Sequence, residues 1–219
     1  MAGGVRLGDR RAALGLGAVH RRHLAVEQLG WELPDRVVAP IASGSLYTKI
    51  GKGFEEWLKL GLVGGSAPVM NGAQAEGCSP VATAFEAGAD FCKPVRPSTI
   101  AKSLAIGNPA DGPYALDAVR SSGGSIGAVT DDEVIAGIRL LARTEGIFAE
   151  TAGGVTIATL AKLAAEGVVR RDERVVAYVT GNGLKTIEAV APHAQPTATI
   201  TPTLDAFAEA IDVEKAGLQ

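Results

Sequence analysis

Four short stretches hold the chemistry this chain can offer, and glycine punctuates each: residues 39–49, 106–109, 145–154 and 179–185. The first contains Ala42-Ser43-Gly44-Ser45-Leu46 between an apolar run and a helical pattern. Small residues in that setting turn backbone N–H groups toward an anion, and a helix N-terminus adds partial positive charge. The same residues also suit an ordinary strand-to-helix turn with a serine cap, and no Gly-Lys-Ser/Thr follows as in a P-loop. In the fourth stretch, Val175–Val179 delivers Thr180 to a turn opened by Gly181 and Gly183. Its hydroxyl could bond a ligand heteroatom, or only complete the turn. Ile106-Gly107-Asn108-Pro109 is a common turn sequence, although Gly107 would also let a flat ligand lie on the backbone. Glu150 reads as an acid beside a ligand or as a carboxylate at a helix start, where such groups are common.

Other chemistry is thin. His20, His23 and His193 lack metal spacing, and Cys78 and Cys92 form neither a disulfide framework nor a metal motif. No metal ligand and no catalytic residue is assigned. The net charge of −3, without a basic tail, gives no reason to expect nucleic acid as a partner. No apolar run is long enough to span a membrane, and no signal peptide is recognisable, so a cytoplasmic protein is expected. Hydrophobic residues make up 47% and aromatics only 5%, so a core must be filled by Ala, Val, Leu and Ile.

The elements that must position these stretches alternate. Strands are expected over Arg36–Ile41, Pro68–Glu76, Ser125–Val129, Ile147–Glu150 and Arg174–Thr180. Helices are expected over Tyr47–Leu60, Ser79–Ala87 with Ser79 as cap, Pro97–Ile106, Pro113–Ser122 and Gly153–Glu166. Thr130-Asp131-Asp132-Glu133 is a capping box that opens a further helix to Thr144. A short amphipathic stretch, Leu204–Ile211, closes the chain. Strands alternating with helices predict an α/β fold with a mainly parallel sheet and helices on both faces.

Taken in order, these stretches resemble threonine synthase. Gln28–Asp35, Ser98–Pro109 and Arg143–Glu150 read like signatures of that family in family order, and the likeness runs from Leu24 to Lys185. It implies a partial type II pyridoxal-phosphate fold, as in the tryptophan synthase β-subunit. It also implies pyridoxal 5'-phosphate as cofactor and conversion of O-phosphohomoserine and water into threonine and phosphate. Position by position, Ala42, Ser43, Gly44, Ser45 and Leu46, with Thr48 beyond, match the loop for the cofactor phosphate. Thr180 matches the residue that bonds the pyridine nitrogen, and Gly107 a backbone position beside the ring. A hydroxyl partner does not hold that nitrogen protonated, so the resemblance implies a milder electron sink.

The sequence departs from the family pattern in places. Serine, alanine and leucine stand in the loop where Gly and Asn are frequent, and Thr151 stands where proline often follows the glutamate. The Schiff-base lysine of the family sits in a Ser-Phe/Tyr-Lys-Asp type motif upstream of the phosphate loop. No such motif occurs here, and Lys49, Lys52, Lys102 and Lys185 lie in other contexts. The expectation is an incomplete chain that does not act alone and that self-associates or forms a homo-oligomer. Its parts are a poorly ordered leader (1–23), a fragment of the large domain (24–190) and a C-terminal extension (191–219). Two alternatives stand beside this: a non-catalytic anion-binding or interaction fragment, and another type II enzyme such as a dehydratase or cysteate synthase.

Overall fold

The computed structural model describes residues 26–194 and 198–210, and the leader 1–23 lies outside them. The chain divides into two compact units, Met1–Ile187 and Glu188–Gln219.

The first unit is built on four strands: β1 (Arg36–Pro40), β2 (Val69–Ala75), β3 (Ile126–Val129) and β4 (Val175–Ala177). They lie in the order β3-β2-β1-β4, and every pairing is parallel. Register is set by Arg36 opposite both Val69 and Val175, and by Gly72 opposite Ile126. β1 is buried along its whole length, which is why its sequence is a continuous apolar run rather than an alternation. Successive side chains still point to opposite faces. Val37, Ala39 and Ile41 join a core with Tyr47, Ile50, Phe54 and Trp57 of helix α1 (Ser45–Lys59). Val81 of helix α2 (Pro80–Glu86) and Leu116 and Val119 of helix α3 (Gly112–Ser121) complete it. Each fully buried side chain of this size contributes about 1.5–3 kcal/mol.

The other face is covered by helix α5 (Thr151–Ala165), which touches all four strands and is backed by helix α4 (Asp131–Glu145). Alternation along β3 makes this concrete. Ile126 points into the first core, while a side chain at Gly127 would strike Thr159 of α5. The expected parallel α/β sheet with helices on both faces is therefore the architecture observed. The capping box of α4 is present, with Glu133 N–H donating to Thr130 Oγ1 at 3.2 Å and Thr130 N–H to Glu133 Oε2 at 2.7 Å. In the second unit, helix α6 (Ile187–Val190) overlaps the boundary and helix α7 (Leu204–Ala210) occupies the expected amphipathic stretch; Ile211 lies outside the described residues.

Three expectations are corrected. Residues 97–106 do not form a helix; one 3-10 turn, Lys102–Leu104, is all that winds. The segment's polar groups are taken by neighbours instead. Thr99 Oγ1 and Ile100 N–H both donate to the Asp131 carboxylate, and Ser98 N–H donates to Gly77 O. Ile147–Glu150 is not a strand of the sheet either. It meets the loop after β4 through a single antiparallel bridge, Ala149 to Asn182. Third, Ser79 occupies the N-cap of α2 but makes no side-chain cap there. Gln74 of β2 performs that task, its Oε1 accepting from Val81 N–H at 3.0 Å and Ala82 N–H at 2.9 Å.

Candidate functional site

β1 is the strand at which the sheet order reverses, with β2 and β3 on one side and β4 on the other. Crevices form at such switch points, beyond the carboxyl ends of the strands. A cleft of about 170 Å³ lies there.

One wall is the turn from β1 into α1. Pro40 ends the strand, and Ala42, Ser43, Gly44 and Leu46 line the cleft. Gly44 is the N-cap of α1 at φ 99° and brings no side chain to cap the helix, while Ser43 Oγ accepts from Ser45 N–H at 3.4 Å. The first N–H groups of a helix lack intrahelical acceptors, so this end of α1, at the cleft, could accept an anion. The glycine is required by a close approach: a Cβ at residue 44 would lie 2.7 Å from the backbone oxygen of Asp111. Asp111 holds the turn from behind as well. Its N–H donates to Ser43 O at 2.8 Å, and its carboxylate accepts from Ser45 Oγ at 2.5 Å.

The opposite wall joins two of the sequence stretches. Glu150 N–H donates to Gly181 O at 3.1 Å, and Gly183 N–H donates to Phe148 O at 2.9 Å. Thr180 Oγ1 donates to Glu150 Oε1 at 3.0 Å, and both residues line the cleft. Glu150 is only 6% exposed. Lys185 Nζ stands 3.9 Å from its other oxygen. Thr151 is the first residue of α5, and its N–H donates to Thr186 Oγ1 at 3.2 Å. A proline there would have no N–H to give.

Of the sequence-derived candidates, Ala42, Ser43, Gly44, Leu46 and Thr180 come together around the cleft, and Ser45, Thr48 and Gly107 do not line it. The Ser45 hydroxyl is turned to Asp111, and Thr48 Oγ1 donates back to Gly44 O at 3.1 Å. Gly107 sits against another segment: a Cβ there would meet Val95 O, whose own N–H donates to Gly107 O. Ser103, Leu104 and Ala152 also line it; they fall inside stretches 98–109 and 145–154 of the sequence but are not singled out there as site residues. No lysine is among the described residues that line the cleft.

This arrangement offers partners for the two ends of a pyridoxal-phosphate molecule: backbone donors at the start of α1 for a phosphate, and the Thr180 oxygen for a ring nitrogen. It offers no amine for an imine among those lining residues. Comparisons with known proteins point the same way. The family profile described as pyridoxal-phosphate dependent enzyme matches residues 16–181. Threonine synthase of Methanocaldococcus jannaschii is 46% identical over 164 residues, which is 74% of this chain and 40% of that protein. Threonine synthase of Methanosarcina acetivorans is 41% identical over 84% of this chain and 46% of its own length. The chain thus spans less than half the length of these relatives. Among solved structures, threonine deaminase isoform 2 of Solanum lycopersicum superposes with a TM-score of 0.62 at 17% identity, covering 82% of this chain and 49% of that one. Maize serine racemase superposes at 0.61 and 16% identity, covering 81% and 53%. These structures share the fold.

Proposed function

The chain belongs to the family of pyridoxal-phosphate dependent enzymes, and from that premise we propose that it forms the cofactor-holding part of a threonine synthase-like lyase. The substrate by this reading is O-phosphohomoserine, converted with water to threonine and phosphate. The observation that carries the reading is the convergence of the Ala42–Leu46 turn and Thr180 on one cleft at the switch point. The N-terminal end of α1 would take the cofactor phosphate through backbone N–H groups. Thr180 would take the ring nitrogen. Ser45 and Thr48 would act indirectly, Ser45 through Asp111 and Thr48 by tying the first turn of α1. When bound, the cofactor supplies an electron sink for bonds at the substrate's α-carbon. The chain's own residues would bind and orient it, and the described residues that line the cleft supply no lysine to move protons.

Two measurements test this. Titration of the pure chain with pyridoxal 5'-phosphate should show binding that is lost in Gly44→Leu. Phosphate and threonine release from O-phosphohomoserine should be absent with the chain alone. It should appear when a polypeptide carrying the lysine motif of the family is supplied. Binding unchanged in Gly44→Leu removes the turn from the site. Turnover by the chain alone, with borohydride trapping an imine on Lys49, Lys52, Lys102 or Lys185, rejects the partial-site reading.

A further inference from the structure

Asp111 is the N-cap residue of α3, yet its side chain does not cap that helix. Aspartate in this position ordinarily accepts from the N–H groups of its own first turn. Here the carboxylate is given to the neighbouring turn before α1, where it accepts from Ser45 Oγ. The turn is shaped to admit it: a Cβ at Gly44 would lie 2.9 Å from Asp111 Cβ. Among the described residues no lysine or arginine pairs with Asp111. The hydrogen bonds then have one direction. An ionised carboxylate only accepts, and each serine hydroxyl has one proton to give. Ser45 gives its proton to Asp111, so the contact at 3.3 Å between the two serine hydroxyls runs from Ser43 to Ser45. Both hydroxyl protons of the turn are committed within the protein, although Ser43 lines the cleft.

We propose that Asp111 sets how tightly the turn holds the cofactor phosphate, by keeping both serine protons from it and by placing a negative charge beside it. This rests on the reading of the Ala42–Leu46 turn as the phosphate cradle and goes beyond it. A phosphate bound there finds backbone donors, and it also feels the field of an unpaired carboxylate, which repels it. Asp111 therefore lowers affinity for the phosphate end of the cofactor alone. The serines of the turn gain a use other than direct contact: they form the relay that ties the turn to this carboxylate.

The test is titration of the full chain with pyridoxal 5'-phosphate, and with pyridoxal as a probe that lacks the phosphate, in wild type, Asp111→Asn and Ser45→Ala. Asp111→Asn removes the charge and should tighten pyridoxal 5'-phosphate by about threefold or more at low salt, with pyridoxal unchanged. The gain should shrink as salt is raised, because screening weakens exposed charges. Ser45→Ala frees the Ser43 proton and keeps the charge, so it should tighten the same probe by less, and it decides the matter if Asp111→Asn does not fold. A merely structural role for Asp111 would instead weaken binding and lower the melting temperature. Equal or weaker binding of pyridoxal 5'-phosphate in the variants, or an equal gain for pyridoxal, overturns the proposal and leaves the cofactor site standing. Failure of wild type and both variants to bind pyridoxal 5'-phosphate at all overturns the site reading, and the proposal falls with it.

Discussion

Arg36 opens β1 with a guanidinium that is almost wholly inside the protein. It donates to Glu173 from Nε at 3.1 Å and from Nη2 at 3.0 Å, and Nη1 reaches Asn71 Oδ1 at 3.4 Å. Asn71 in turn accepts from Ser125. The hydrogen bonds from Arg36 hold the Glu173 carboxyl below its usual range; burial pushes it upward and is outweighed, with Arg170 adding to the lowering. A carboxyl lowered on folding stabilises the protein above its unfolded value, and that contribution is lost as pH falls through the folded value. Melting temperature should therefore drop as pH falls below about 4.5, and the drop should be shallower in Glu173→Gln. Parallel profiles for the two proteins would show that the pair does not set the acid limit. Removing only one partner is harsher: Arg36→Ala leaves the Glu173 carboxylate to Arg170 alone, through its N–H at 2.9 Å and its guanidinium at 3.4 Å, and the lost charged hydrogen bonds should cost about 1.5–3 kcal/mol. Denaturant titration reads this directly. At the opposite end of the sheet, Gly181→Ala should force Glu150 aside and destabilise by about 1–3 kcal/mol. An unchanged denaturation midpoint would mean that Glu150 has room to move.

The strands and most helices were legible in the sequence because their signals are local and repeated. β1 is a continuous apolar run. The first face of α1 recurs at Ile50, Phe54 and Trp57. The box at Thr130 and Glu133 encodes its own hydrogen bonds. What the sequence hid was decided by residues far along the chain. Pro97–Ile106 has a helix-like composition, but Asp131 captures Thr99 and Ile100. The cap of α2 comes from Gln74, six residues before the helix and on a strand, so no capping pattern announces it. The cleft was half legible for the same reason. Its small-residue turn was visible, whereas the Glu150–Thr180 contact joins residues 30 apart. The α2 cap gives an element-scale prediction. Gln74→Leu keeps the volume but strips acceptors from two buried N–H groups, and should cost about 1–3 kcal/mol for each left unsatisfied. Ser79→Ala should cost much less, since that hydroxyl donates only to Glu76 O. A larger loss from Ser79→Ala than from Gln74→Leu in thermal melts would reverse the assignment of the cap.

At the scale of the molecule, several large apolar side chains face outward. Phe91 is 74% exposed, Tyr114 66% and Leu60 71%. Exposed apolar surface favours association, so sedimentation velocity should show species heavier than a monomer whose share grows with concentration. Phe91→Glu combined with Tyr114→Glu should reduce that share, and an unchanged distribution would clear this surface of the role. The sheet itself has a consequence in time. β1 finds β2 about thirty residues later, but its other neighbour arrives far downstream: Arg36 meets Glu173 across a separation of 137 residues. Closing so long a loop is slow and entropically costly. A chain emerging from the ribosome can zip β1, β2 and β3 well before β4 exists. Thr180, the Glu150 contact and the outer wall of the cleft must wait for that last strand. The candidate cleft is then completed late, and a nascent chain that stops after Ala177 and before Thr180 has the strands of its sheet but not the Thr180 wall of the cleft.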